Sequence, residues 1–310
     1  MKKVGIKSLG HYAPPHVLNN EDLSKLVETN DEWIMSRTGI KERRIAKGES
    51  TADMGTQAVL NCVAEADRAG VDLLITSCGS PHNIYPTQSA QIANKAPLPN
   101  AVVLDINIAC TGLIAGMILG QSMIQSGQSK NVVVAATEKM SEYMDYTDRN
   151  NCILFGDGAS AVQLSADDYE HEIIATEMGS DSTGAGMLTM GDRSGSGYFW
   201  QDGKNIYRFV QTKLPLLIAS LKVKANLGDE PFYLVPHQAN ARMFDAIAAK
   251  SGIPIERVLL TIEKYGNTSS SSVGIALNEF DQAGKFKKGD AVMIVAFGAG
   301  LAWAGAVIRW

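Results

Sequence analysis

The pattern that most limits how this chain can fold is a run of strands and helices that occurs twice. VDLLITS (71–77), AVVLDINI (101–108) and NVVVAAT (131–137) read as short buried strands rich in β-branched residues. Between the last two, TGLIAGMILGQSMIQSG has helical length and ends at Gly127, a residue suited to a helix C-terminus. The second half repeats the plan with FYLVPH (232–237), RVLLTIE (257–263) and DAVMIVAF (290–297). The helical patterns ARMFDAIAAKSG and SSVGIALNEFDQAG lie between these strands. Ile75 and Val235 stand 160 positions apart, Cys110 and Asn267 157, and Val133 and Ile294 161. Strands alternating with helices imply parallel βαβ units. The recurring spacing predicts two similar α/β halves packed face to face, residues 1–170 and 171–310, joined at the polar stretch ADDYEHE. The Gly- and Ser-rich segment 179–199 reads as a long irregular excursion, and such excursions tend to carry function.

The 310 residues give room for two such halves. Lys plus Arg is 28 against Asp plus Glu 33, a net charge of −5, which argues against a nucleic-acid-binding protein. No apolar run reaches the ~18 residues of a membrane span. The N-terminus MKKVGIKSLGHYAPP lacks the apolar centre of a secretory signal. Cys62, Cys78, Cys110 and Cys152 form no CxxC pair, so neither a disulfide framework nor a structural zinc is expected. These features together predict a reduced, cytoplasmic protein without a metal.

Cys110, in DINIACTGLIAGM, falls where a strand is expected to end and a helix to begin. The helix dipole and its free N–H groups there would favour the thiolate and lower the pKa below ~8.5. The turn also resembles a nucleophile elbow. The competing reading is a buried core cysteine, the reading that suits Cys62. Cys78 and Cys152 have no helix start after them. His237 closes the strand FYLVP, on the rim where α/β sheets place ligands, although position alone favours a hydrogen-bonded structural histidine slightly. His11, His16, His82 and His171 lie in polar or loop-like surroundings. Asn267, in YGNTSSSSVG, is read as the second-half counterpart of Cys110; taken singly it is an ordinary turn residue. The duplication would bring Cys110, His237 and Asn267 together. A protease can use such a set, but the doubled α/β plan is unlike a papain-type fold.

Six motifs stand out: DEWIMSRTGIKERRI (31–45), IACTGL (108–113), TDRNNCILFGDGASA (147–161), VPHQANARM (235–243), YGNTSSSSVGIAL (265–277) and AFGAGLAWAGAVIRW (296–310). Together they resemble those of the β-ketoacyl-[acyl-carrier-protein] synthase III family of the thiolase-like superfamily. The resemblance runs nearly end to end. It implies an α/β, thiolase-like, five-layered α-β-α-β-α fold of two duplicated halves, and a homodimer. It implies Cys110, His237 and Asn267 as catalytic residues, with backbone N–H groups of Cys110 and Ala299 as the oxyanion hole. Thr29, Trp33, Arg37 and Arg149 match coenzyme A-binding positions, Trp33 and Arg149 enclosing the adenine. Arg208, Arg242 and Lys250 match the basic positions that dock an acidic carrier protein; a solvated face is the competing reading. Tyr85, Met187, Leu188, Met190, Phe297 and Leu301 are placed around the acyl end. Several positions depart from the pattern, the Cys loop IACTGL, in place of the commoner AACAGF, and the loop 179–199 among them. The family's glycine triplet reads Gly298-Ala299-Gly300 here, and Lys204 stands where an Asn contacts pantetheine, with Asn205 one place off.

The implied activity is an acyltransferase reaction that starts fatty acid synthesis. An acyl-CoA primer acylates Cys110, and malonyl-acyl carrier protein then condenses with loss of CO₂, with no cofactor beyond the thioester substrates. One alternative is a specialised relative that transfers or condenses acyl groups in secondary metabolism or biotin precursor synthesis. Another is a non-catalytic acyl-binding partner subunit, which the presence of all three site residues disfavours.

Overall fold

The computed structural model describes residues 2–191 and 195–310. Its strands are β1 (Gly5–Tyr12), β2 (Val17–Asn19), β3 (Glu42–Arg44), β4 (Leu73–Ser77), β5 (Val102–Ile106), β6 (Asn131–Lys139) and β7 (Asp157–Ser165) in the first half. The rest are β8 (His171–Ser180), β9 (Leu188–Thr189), β10 (Trp200–Gln201), β11 (Phe232–Pro236), β12 (Ala291–Gly298) and β13 (Ala302–Arg309). Nine of them run in the order β11-β12-β13-β8-β1-β7-β6-β4-β5. The centre of that row is thin: β1 meets β8 only at Gly5–Glu172 and Ile6–His171. On one side β4 is parallel to β5 and β6, and β6 is antiparallel to β7. On the other, β11 is parallel to β12, and β12 is antiparallel to β13. The same sequence of pairings therefore appears twice.

Side-chain alternation builds the layers, because successive residues of a strand face opposite ways. Ile75, Val132 and Val134 share one core cluster with Val235, Val292 and Ile294 from the other half sheet. The helices Gly112–Gln125 and Ser272–Gln282 lie in that same cluster through Leu113, Met117, Val273 and Leu277. They form the middle layer. Leu74, Val133 and Ala135 face the other way, onto helices Thr51–Cys62 and Gln88–Lys95. Leu234, Met293 and Val295 face helices Gly203–Lys224 and Ala241–Ser251. The result is five layers, helix-sheet-helix-sheet-helix.

Three expectations need correction. AVVLDINI is not buried: Val102, Val103 and Leu104 are 67%, 38% and 41% exposed, because β5 is the free edge of the sheet. RVLLTIE is not a strand. The helical turn Ile255–Arg257 and the helix Ile262–Tyr265 take up its two ends, and between them only Val258 makes a bridge, to Leu234. The excursion 179–199 is also less irregular than expected. It begins inside β8 and continues through a 3₁₀ turn at Ser182–Met187 to β9, which pairs with β10; residues 192–194 lie outside the described residues.

The turns into the two central helices match residue by residue. Asn107 Oδ1 accepts the Ala109 N–H at 3.2 Å, and Asn267 Oδ1 accepts the Ser269 N–H at 2.8 Å. Ala109 has φ +44° and Ser269 φ +51°. Thr111 Oγ1 donates to the Ile108 carbonyl at 2.6 Å, and Ser271 Oγ to the Thr268 carbonyl at 2.8 Å. The counterpart of Asn267 is therefore Asn107, and that of Cys110 is Ser270. The pairing of Cys110 with Asn267 was three residues out of register. Gly112 has a steric reason: a Cβ there would lie 1.8 Å from Ser77 Oγ at the end of β4.

Candidate active site

A cavity of about 890 Å³ opens where the two central turns meet the ends of β11 and β12, and Cys110, His237 and Asn267 all line it. Cys110 is the one cysteine of the four that is only partly buried, keeping some exposure to the cavity. Its Sγ lies 3.5 Å from Ser269 Oγ. The thiol does not have the lowered pKa expected of a helix start. Burial pushes it up to about 12; the Ser269 contact only partly offsets this, and the charge of Glu138 adds to the rise. The regular helix also begins later than expected, at Gly112, behind the 3₁₀ turn Ala109–Thr111.

His237 follows β11, and its backbone N–H donates to the Val295 carbonyl at 2.7 Å. Ser272 Oγ accepts the Gln238 N–H at 3.3 Å and stands 2.7 Å from His237 Nδ1. The Ser272 hydroxyl has no other acceptor among the described residues, so its hydrogen is assigned to Nδ1 and the ring proton to Nε2. Burial lowers the His237 pKa to about 3, so the ring is neutral. Phe297 packs edge-on against it, with centroids 5.3 Å apart. Asn267 is clamped from the first half: its N–H donates to Leu154 O at 2.9 Å and its carbonyl accepts Gly156 N–H at 3.0 Å. Because its Oδ1 faces the Ser269 amide, its Nδ2 points the other way. The site thus offers one thiol and two neutral donors.

Gly298 and Ala299 form the facing wall. A Cβ on Gly298 would come 2.9 Å from Cys110 N, a close approach that explains glycine there. Ala299 is not among the positive-φ residues; Gly300 takes that conformation, at +131°. The alanine in the triplet is therefore conformationally compatible.

The other expected positions divide. Trp33 and Arg37 line the cavity, but Thr29 does not; its Oγ1 is buried without a partner. Arg149 lines a smaller neighbouring hollow, and its guanidinium covers Trp33 at 5.1 Å from the ring centroid. Arg242 lines the cavity and donates to Ser36 O at 3.2 Å. Arg208 is exposed on helix Gly203–Lys224, and Lys250 Nζ donates to Gln211 O at 3.2 Å. Leu188, Met190, Phe297 and Leu301 line the cavity. Met187 does not; it packs in the core against helix Gly203–Lys224. Tyr85 does not either: it is 84% exposed. Neither Lys204 nor Asn205 lines the cavity, Asn205 being held by the capping Asp202 at 2.7 Å. His11 and His171 lie within β1 and β8 rather than in loops.

Sequence reasoning missed Ser269, which touches Cys110, and the fully buried Glu138 behind it. The available signal was a carboxylate closing an otherwise apolar strand, NVVVAATE. Among the described residues no group of three or more His, Cys, Asp or Glu is placed to hold a metal.

A doubled α/β fold with a cysteine, a neutral histidine and an asparagine at the junction of its halves defines a thiolase-like condensing enzyme. Residues 104–182 match the family model of 3-oxoacyl-[acyl-carrier-protein (ACP)] synthase III, and residues 226–310 that of its C-terminal part. The β-ketoacyl-[acyl-carrier-protein] synthase III of Oceanobacillus iheyensis is 37% identical over 99% of both chains. The crystal structure of 3-oxoacyl-[acyl-carrier-protein] synthase III from Aquifex aeolicus superposes with a TM-score of 0.94, at 38% identity, covering 99% of this chain and 100% of that one. The priming β-ketosynthase of the R1128 polyketide biosynthetic pathway gives 0.92 at 32% identity, covering 98% and 95%. The chain belongs to the 3-oxoacyl-[acyl-carrier-protein] synthase III family of acyltransferases.

Proposed function

We propose that this enzyme condenses an acyl-CoA primer with malonyl-acyl carrier protein to start fatty acid synthesis. Cys110 sulfur attacks the primer's thioester carbon, and coenzyme A leaves. The backbone N–H groups of Cys110 and Ala299 hold the oxyanion. The malonyl thioester then loses CO₂, and negative charge develops on its thioester oxygen. His237 Nε2–H and Asn267 Nδ2–H stabilise that enolate. Donors aimed where charge develops are worth roughly 3–4 kcal/mol each in rate. The carbanion attacks the acyl-Cys carbonyl, giving a β-ketoacyl thioester and freeing Cys110. Each step exchanges bonds at carbon centres without a net change that calls for a redox group.

The observation that carries the reading is the neutral His237, held by Ser272 with its proton on Nε2, beside the Asn267 amide in one cavity with Cys110. A general base for the thiol would need the other neutral tautomer, with the free lone pair on Nε2. Trp33 and Arg37 at the cavity, with Arg149 over Trp33 from the neighbouring hollow and Thr29 nearby in the chain, take the coenzyme A nucleotide. Arg208, Arg242 and Lys250 meet the acidic carrier protein. Leu188, Met190, Phe297 and Leu301 bound the acyl chain.

We further read the chain as a homodimer of two-half subunits, 1–170 and 171–310, working in the cytoplasm. Support for the dimer comes from the apolar free edge β5 and from Ile84, Tyr85 and Ile108, 63%, 84% and 37% exposed beside it. Among the described residues no helix is long and apolar enough to cross a membrane.

The deciding experiment is intact-mass spectrometry after incubation with acetyl-, butyryl-, octanoyl- and glutaryl-CoA, followed by malonyl-acyl carrier protein. An adduct on Cys110 that disappears with CO₂ release supports condensation. An adduct passed instead to an amine or alcohol acceptor would support a specialised relative, the reading that similarity to a polyketide priming synthase favours.

A further inference from the structure

The resting thiol of Cys110 is protonated, and the neutral His237 already carries its one proton on the nitrogen that faces the cavity. Neither fact explains where the cysteine's proton goes when its sulfur attacks. Behind the thiol lies Glu138, at the end of β6 and fully buried. Its contacts with hydrogen-bonding groups are all to donors. Gly79 N–H reaches its two oxygens at 3.2 and 3.1 Å. Ser80 Oγ stands 2.6 Å away, and it already accepts the Lys139 N–H at 2.8 Å, so its hydrogen goes to Glu138. Ser270 Oγ stands at 2.6 Å and Ser269 Oγ at 3.3 Å. Gly79 N–H can only donate, and three hydroxyls are placed to donate beside it, an arrangement that favours the carboxylate against its burial.

We propose that Ser269 and Glu138 form the path by which the Cys110 proton leaves and returns. The inference rests on Cys110 being the nucleophile. During acylation the S–H proton passes to Ser269 Oγ as the Ser269 hydroxyl proton passes to Glu138 Oε1, while the sulfur electron pair forms the new C–S bond. The departing coenzyme A thiolate takes its proton from solvent. When the condensation step expels Cys110 as a thiolate, Glu138 returns its proton through Ser269. One proton is consumed per turnover, as decarboxylation of a malonate carboxylate requires. Ser269 touches the reacting sulfur. Glu138 acts through it and is a positioning and proton-holding residue. Burial raises the proton affinity of Glu138, the direction this role needs. The titratable groups that sense its charge are Cys78, Cys110 and Tyr143. No lysine, arginine or histidine forms an ion pair with it among the described residues.

The contacts also tie the Gly79–Ser80 turn to the Ser269–Ser270 turn, so loss of rate alone does not distinguish a proton path from a staple. The test is the pH profile, from pH 5 to 9, of single-turnover acylation by acetyl-CoA, read by intact mass. The enzyme should show a limb that rises with ionisation of a carboxylate and then levels. Glu138→Gln and Ser269→Gly should acylate about a hundredfold more slowly at pH 7, the usual scale of general base catalysis. Their rates should climb tenfold per pH unit, because only direct ionisation of the thiol then supplies a nucleophile. Glycine suits the positive φ at 269 and keeps the N–H that orients Asn267. Glu138→Asp should restore the limb in part. Parent rates in both variants, or slower rates with the parent's profile, would overturn the path. Faster acylation by Glu138→Gln would also overturn it, since that is what mere removal of a charge unfavourable to the thiolate predicts. If the enzyme itself gains no mass on Cys110, the nucleophile assignment falls instead.

Discussion

The guanidinium of Arg149 rests over the indole of Trp33, 5.1 Å from the ring centroid, and so occupies the space in which a flat base would stack. Two successive stacking contacts need about 7 Å, twice the optimal carbon–carbon separation. Arg149 also donates to the Glu28 carbonyl at 3.1 Å, so the closed pair has its own hydrogen bond to give up. On that face of Trp33 adenine can stack only if Arg149 moves outward. Trp33→Ala should therefore raise KM for acetyl-CoA about tenfold, the scale of one base–aromatic stack, with kcat little changed. Arg149→Ala should raise it less, because the variant loses a contact but no longer has to open. Steady-state kinetics decide this, and a larger KM effect at Arg149 than at Trp33 would contradict it.

The neutrality of His237 makes a second prediction. Its folded pKa, about 3, lies below the ordinary 6.5 of an unfolded histidine. Above pH 6.5 both states are neutral and the residue costs nothing. As pH falls, the unfolded chain takes up the proton first, so stability is lost from 6.5 down toward 3. Between pH 7 and 5 that loss is about 2 kcal/mol. Urea unfolding of His237→Gln should show that much less acid sensitivity than the parent over this interval. Decarboxylation should show no inflection near pH 6.5, because the donor Nε2–H is already in place. Such an inflection would mean that the imidazole titrates normally and is not the donor described.

The doubling was legible because buried strands announce themselves by β-branched runs; the antiparallel strands β1, β7, β8 and β13, which complete the row, were not. Nor was the register of the doubling. Cys110 and Asn267 are each the chemically conspicuous residue of their turns, and aligning them shifted the repeat by three. The true pairs are Asn107 with Asn267, which make the same turn hydrogen bond, and Cys110 with Ser270, which share backbone position but not chemistry. The exposure of β5 was also hidden, since an apolar strand reads alike whether a neighbouring strand or solvent lies beside it. The raised thiol pKa was missed for a related reason. A helix start is visible in sequence, but the burial that outweighs it, and Glu138 beyond Ser269, belong to tertiary packing.

The free edge supports a third prediction. Val102 and Leu104 stand on one face of β5, two residues apart, and both are exposed in the isolated subunit. Val102→Lys with Leu104→Lys removes no core contact on that face, so folding should persist. Charges on an edge strand oppose pairing with a second copy. Sedimentation should show the parent as a dimer and the variant as a monomer. A variant that remains dimeric would place the subunit interface elsewhere.

The primer is decided by the wall of the cavity, whose apolar side includes Phe155, Leu188, Met190, Phe199 and Leu301. Tyr85, the group expected to serve a polar acyl end, lies outside that wall. An apolar wall leaves a terminal carboxylate without a partner, and an unpaired buried charge is costly. Acetyl-CoA should therefore exceed glutaryl-CoA in kcat/KM by at least about tenfold, or 1.4 kcal/mol. Chain length is a question of depth. Leu188 lines the cavity and packs between two core clusters, so it sets the depth without holding the catalytic residues. Leu188→Ala should raise the octanoyl-to-acetyl ratio of kcat/KM, since each added methylene that finds apolar space is worth about 1 kcal/mol or more. Acylation by acetyl-CoA should remain near the parent rate. If the parent already favours octanoyl tenfold, the short-primer reading fails. If the ratio stays fixed in Leu188→Ala, the chain runs along a different part of the wall.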